Sequence, residues 1–432
     1  MLSVWGDGAP TSRDSSIDDI DSNDTDRADM GGSWLPSDQD ASGRSFGLDE
    51  IGYLNEVLRS GTLTATKGAL TPRFEEAVGE LLGVEHVIAC SSGSAAVHTA
   101  VAALDTEPGD EIITTSVTDM GALAPILQQG AIPVFADVDP ISLNVTASTI
   151  EARISSRTRA IIVTHLFGNP CQMASILELA ERHGIPVIED AAQAYGAMSG
   201  GRPVGTLGAI GCFSAQQGKH ITAGEAGFVV TRDAALARRM RLFVNKGWPY
   251  GEPGPDHEFL APNYRITELQ SAVLLAQLPK LADNVRHRIR AAERLSSMIK
   301  DVRGLTAPRV ASGDVGSYWR YAMRVDPRII PGGPGTLADR LKFYDVAAAP
   351  RYIQKPAFRC KVIAEQVTFG TSRWPFTLAR PEAVDYREEL FPGTFAGLEQ
   401  VLVLPWNERY TASHIERLGE SIRDAMVELW AA

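Results

Sequence analysis

Cysteine is scarce in this chain: Cys90, Cys171, Cys212 and Cys360 are the only four among 432 residues, and they are scattered without metal-ligand spacing. That argues against a disulfide framework and against a zinc or iron–sulfur centre, and no metal is expected. Three of the four lie in or beside the predicted core and read as buried thiols of a reducing cytoplasm. Long apolar runs are missing as well. No stretch reaches the ~20 residues that cross a bilayer, and the N-terminus lacks a basic-then-apolar signal pattern, so a membrane or secretory role is not expected. Basic charge is not in excess either. The formal net charge is −12, and no basic stripe is present to hold nucleic acid. No Gly-x-Gly-x-x-Gly turn follows the first predicted strand, which argues against a Rossmann-type nucleotide site.

The remaining composition is that of an ordinary globular chain, with 44% hydrophobic and 22% charged residues. Its length predicts one large domain and a smaller one. The acidity is concentrated at the start: residues 1–43 hold ten aspartates against Arg13 and Arg27. Rich in Ser, Asp and Gly and without periodicity, residues 1–45 are expected to form a disordered acidic tail, solubilising or interacting.

Order begins near residue 46. Leu48, Ile51, Leu54 and Leu58 recur at helical spacing and stop at Ser60-Gly61; Arg73 to Leu82 does the same and stops at Gly83. Seven short apolar runs then alternate with helical segments: 86–90, 111–115, 132–136, 160–164, 185–188, 209–213 and 227–230. This pattern predicts an α/β fold with a mainly parallel seven-stranded sheet between helices. Residues 266–278 and 280–301 read as helices broken at Pro279. Beyond them 319–325 reads as a strand, and 335–344 and 412–428 as helices. The expected division is a large domain over 46–285 and a small C-terminal α+β domain over 286–432.

Ligands of such sheets gather at the carboxyl ends of the strands. Lys219 stands just past one strand, before the turn Gly224-Glu225-Ala226-Gly227 and a second apolar run. An amine held there can form a Schiff base with an aldehyde, as in the tether of pyridoxal 5'-phosphate (PLP). Ser92, Gly93 and Ser94 lie between a strand and a helix, where backbone N–H groups and the helix dipole can face a phosphate; a Ser N-cap with no ligand reads equally well. Asp190 closes a strand, where its carboxylate could meet a pyridinium N–H or cap the following helix. Gln193, three residues on, can reach the phenolic oxygen of the cofactor. Ser214 closes the strand before Lys219 and can join the phosphate cradle.

These residues stand among further motifs: Leu58-Arg59-Ser60-Gly61, Pro133 to Pro140, His165-Leu166-Phe167-Gly168, Glu189-Asp190-Ala191-Ala192-Gln193-Ala194 and Asn263-Tyr264-Arg265. From about residue 47 to the end, the chain resembles the sugar aminotransferases of the DegT/DnrJ/EryC1/StrS family, PLP enzymes of fold type I. The resemblance implies Lys219 and Asp190 as catalytic residues. It also implies a homodimer with active sites at the subunit interface, Asn263 reaching the partner's phosphate and Arg265 its substrate region. The family's ring-stacking aromatic is replaced by Asp119 within Ser116-Val117-Thr118-Asp119-Met120-Gly121, so Met120 covers the ring or Asp119 has a task of its own. Lys67 is either a contact for an anionic substrate or exposed, and Arg265, Arg320 and Arg351 are candidates for substrate anions. The resemblance implies transfer of an amino group from glutamate or glutamine to a keto-sugar, nucleotide-linked keto-sugar or keto-cyclitol, in aminosugar or antibiotic biosynthesis. The missing aromatic keeps other PLP reactions open (dehydration, epimerisation, oxidative deamination), and a PLP-binding sensor that does not turn over is a further rival.

Overall fold

The structure, a computed structural model, describes residues 34–431. Most of the acidic tail expected over 1–45 lies outside the described residues. Two helices lead into the fold, α1 (Leu48–Ser60) and α2 (Leu70–Leu82). The Glu50 carboxylate reaches back to the Gly47 N–H at 2.8 Å to start α1, and Gly61 at φ +68° ends it in the left-handed conformation that glycine adopts at little cost.

The βα alternation follows with β1 (His86–Cys90), α3 (Gly93–Ala103), β2 (Glu111–Thr115), α4 (Met120–Gln128), β3 (Ile132–Ala136), α5 (Ala147–Glu151), β4 (Thr158–Thr164), α6 (Met173–His183) and β5 (Val187–Asp190). A ribbon of β6 (Met198–Ser199) and β7 (Arg202–Pro203) precedes β8 (Ile210–Ser214), β9 (Gly227–Thr231) and α7 (Ala234–Val244). The seven long strands form one sheet in the order β1-β9-β8-β5-β4-β2-β3, in which only β9 runs antiparallel to its neighbours. Helices cover both faces, so these strands are near-continuous apolar runs with no polar alternation. Phe213 and Phe228 stack across β8 and β9 with centroids 4.7 Å apart, and burying each ring contributes ~1.5–3 kcal/mol. The run expected over 185–188 pairs two residues later, because Pro186 has no N–H for the ladder.

At Pro279 the chain makes a 3₁₀ turn between α8 (Glu268–Gln277) and α9 (Leu281–Ile299). The smaller part holds β10 (Leu305–Thr306), β11 (Tyr321–Val325), α10 (Gly333–Leu341), β12 (Ala349–Pro350), α11 (Lys361–Ala364), α12 (Pro392–Gln400), β13 (Val401–Leu404) and α13 (Ala412–Ala431). Its antiparallel sheet has the order β10-β11-β13-β12. Buried Arg288 on α9 donates to Glu408 at 2.8 Å and to the Trp406 carbonyl at 2.8 Å, bracing the segment that follows β13.

Packing crosses the expected boundaries at two places. Phe358, Phe376 and Phe391 fall within 286–432 but lie in the core of the large sheet, Phe358 edge-on to Phe135 at 5.7 Å. Residues 34–45 do not form a tail. Leu35 enters the core of the smaller part and Arg44 is buried, because a guanidinium surrounded by acceptors offsets its own desolvation.

Candidate active site

β1, β5 and β8 end on one edge of the sheet and bring the expected residues together. Ser92 is extended and caps α3, its Oγ accepting the Ala95 N–H at 3.1 Å. A Cβ added to Gly93 would lie 2.6 Å from the Ser214 Cβ, and one on Gly227 would lie 2.4 Å from the Ser92 carbonyl oxygen. Only glycine permits these approaches, which set the first turn of α3 against the end of β8. Ser94 is exposed beside them, its Oγ 2.7 Å from where a Cβ on Gly121 would stand. The result is a cluster of hydroxyls and helix-terminal amides, groups of the kind that can hold an anion.

Asp190 ends β5 as a buried carboxylate. Its Oδ1 accepts the Ala192 N–H at 3.1 Å, and burial pushes its pKa up against the pull of that N–H and of Lys219. A buried carboxylate with so little satisfaction suits a protonated ring nitrogen. Lys219 follows a tight turn in which its N–H reaches the Gln216 carbonyl at 2.9 Å. Burial pushes its amine down to about 8, with the charge of Asp190 opposing that shift and Arg320 adding to it. The residues therefore fit PLP: a cradle for the phosphate, a carboxylate for the ring nitrogen and an amine of lowered pKa for the aldehyde.

Gln193 is held at both ends. Its Oε1 accepts the Phe167 N–H at 2.8 Å and its Nε2 donates to the Tyr352 hydroxyl at 3.3 Å. Asp119 caps α4, its Oδ1 accepting the Gly121 N–H at 2.7 Å, while Met120 packs on the apolar core. Arg320 stacks on Trp319 with its guanidinium carbon 4.4 Å from the ring centroid. His220, beside the key lysine, faces away: its Nε2 donates to the Ser317 carbonyl at 3.0 Å, and burial pushes its pKa well down.

Four expected contacts stay apart from Lys219 within one chain. Asn263 is exposed, its Oδ1 accepting the Arg265 N–H at 3.3 Å, and Arg265 lines a surface cavity with Arg238, Arg241 and Trp248. Lys67 and Arg351 are exposed. Sequence reasoning missed four residues that sit at the site: Trp319 (apart from its place in a predicted strand), Tyr352, Asp38 and Arg44. Tyr352 packs edge-on to Phe167 at 4.8 Å, and burial pushes its phenol up to about 12. Arg44 donates to the Lys219 carbonyl at 2.8 Å. No local spacing marks any of the four, since each reaches Lys219, Gln193 or Arg320 from elsewhere in the chain.

Among the described residues no group of three or more His, Cys, Asp or Glu is placed to hold a metal ion. GDP-perosamine synthase of Caulobacter vibrioides is 36% identical over 282 residues, 64% of this chain and 74% of that one. L-glutamine:2-deoxy-scyllo-inosose aminotransferase of Streptomyces kanamyceticus is 35% identical over 294 residues, 65% of this chain and 69% of the other. The crystal structure of an aminotransferase from Psychrobacter cryohalolentis superposes with a TM-score of 0.80 at 27% identity, covering 90% of this chain and 98% of that one. With residues 45–384 matching its family profile, the chain belongs to the DegT/DnrJ/EryC1/StrS aminotransferase family.

Proposed function

We propose that this PLP-dependent aminotransferase moves an amino group from glutamate or glutamine to a keto-sugar, a nucleotide-linked keto-sugar or a keto-cyclitol, in aminosugar or antibiotic biosynthesis. The observation that carries the site assignment is the placement of the Lys219 amine beside buried Asp190, on the strand edge that also holds Ser92, Gly93, Ser94 and Ser214. Relatives named for a perosamine synthase and for an inosose aminotransferase support a sugar or cyclitol acceptor. When bound, the cofactor supplies an aldehyde for the amine and an electron sink for the substrate α carbon. Lys219 holds it and, once released, carries a proton at Nζ as general base and then acid. Asp190 keeps the ring nitrogen protonated, and Gln193 positions the ring oxygen.

We read the active unit as a cytoplasmic homodimer. Leu48, Ile51 and Leu58 of α1 are exposed apolar residues that a second copy would cover, and exposed Asn263 suits a partner's site. No helix among the described residues is long and apolar enough to cross a membrane. Asp119 needs no altered chemistry to explain it, because its carboxylate is used as the N-cap of α4.

Absorbance of the purified holoenzyme tests the reading. Glutamate or glutamine should bleach the visible band of the lysine-bound cofactor, and a keto-sugar or keto-cyclitol from a panel should restore it. A band that no amino donor bleaches would point to other PLP chemistry or a sensor.

A further inference from the structure

Residues 34–45 form a strap across the Lys219 loop. Arg44 anchors it, donating through Nε to the Asp38 carbonyl at 2.9 Å, through Nη1 to the Lys219 carbonyl at 2.8 Å and through Nη2 to the Gln217 carbonyl. Gln217 returns a hydrogen bond to the Asp38 carbonyl at 3.1 Å, and Asn407 donates to the Gly43 carbonyl at 3.1 Å. So held, the strap places the Asp38 carboxylate 2.8 Å from Arg320 Nη1. Arg320 lies over the indole of Trp319, whose ring also faces the Lys219 Nζ at 4.3 Å. Guanidinium, carboxylate and reactive amine thus meet around one aromatic ring.

The charge balance there is decisive. An unpaired Arg320 beside Lys219 would be a ready fork for a substrate carboxylate. Asp38 has already neutralised it, so the pair presents hydrogen-bonding groups with no net charge. An additional carboxylate brought to this point would meet Asp38 as a like charge in a part-buried setting.

We propose that Asp38 is a specificity-determining residue: by neutralising Arg320 beside Lys219 it favours an amino donor whose side arm is uncharged, glutamine over glutamate. This rests on the amino-transfer reading above. Glutamine carries an amide where glutamate carries a second carboxylate, and the amide can bond to the Asp38–Arg320 pair without adding charge.

The test compares native holoenzyme with Asp38→Asn and the charge-conserving Asp38→Glu. The native enzyme should show the higher kcat/KM with glutamine. Asp38→Asn should move the glutamine-to-glutamate ratio roughly tenfold toward glutamate, mainly through a lower KM for glutamate, and Asp38→Glu should stay near the native ratio. Glutarate, an unreactive dicarboxylate, supplies a readout that needs no turnover: titrated against the cofactor's absorbance, it should bind Asp38→Asn roughly tenfold more tightly than native enzyme. An unchanged ratio with unchanged glutarate affinity would overturn the role of Asp38, as would a native preference for glutamate. Absence of any amino transfer would instead sink the functional reading, and the glutarate titration would still decide whether Asp38 repels a second carboxylate.

Discussion

The Lys219 Nζ lies 4.3 Å from the centroid of the Trp319 indole, while the indole N–H donates to the Gly218 carbonyl at 2.6 Å. One side chain therefore pins the loop and offers its π face to the ammonium that the loop carries. Trp319→Leu should slow formation of the lysine-bound cofactor band roughly tenfold. Trp319→Phe keeps the π face, which favours the unreactive ammonium, but loses the N–H that pins the loop, and should be slowed at least as much. Stopped-flow absorbance on reconstituted apoprotein checks this, and equal rates in all three proteins would remove Trp319 from the site.

The lowered pKa of Lys219 sets a pH dependence. Only the neutral amine attacks an aldehyde, so the reconstitution rate of the apoprotein should rise with pH and level off above a midpoint of about 8. Stability follows the same proton. Between about 8 and the ordinary lysine value of 10.5, the unfolded chain binds more protons at this group than the folded one. Its contribution to the stability of the apoprotein therefore increases as pH rises through that window. Urea midpoints of native apoprotein and Lys219→Met at several pH values isolate the effect.

Asp190→Asn keeps the shape of the side chain and removes its charge. Donor-driven bleaching of the cofactor band should slow by a factor of roughly a hundred or more, because the ring nitrogen loses the anion that keeps it protonated. Single-turnover absorbance with a saturating donor measures the step directly. A near-native rate would remove Asp190 from its assigned role.

Gly93→Ala tests the cradle by geometry. The new methyl would start 2.6 Å from the Ser214 Cβ, so the first turn of α3 or the end of β8 must move. PLP affinity should drop roughly tenfold or more, read by equilibrium dialysis, since the amides and hydroxyls would lose their common focus.

Shared active sites would make Asn263 and Lys219 act from different subunits. Mixing inactive Lys219→Ala with a weakened Asn263→Asp under subunit exchange should then restore part of the activity, up to about a quarter of native at equal mixing if subunits pair at random. Activity no higher than the average of the two parents would argue against Asn263 reaching across the interface.

The seven apolar runs were legible because sheet strands covered on both faces leave a local signature, and each run became a strand of the large sheet. The placement of Asp190, Ser214 and the turn at Ser92 at strand ends followed from the same parallel architecture. Asp119 shows where local reading stops: the residue type suits both a ring contact and a helix cap, and only the backbone of α4 reveals the cap. Asp38, Arg44, Trp319 and Tyr352 left no such trace. Asp38 meets Arg320 across 282 positions and Arg44 meets the Lys219 carbonyl across 175. Periodicity and capping are properties of neighbours in the chain, so the sequence by itself determined the sheet and which residues stand at its strand ends. Which charges and rings close over Lys219 depended on how distant segments pack, and only the tertiary structure decided that.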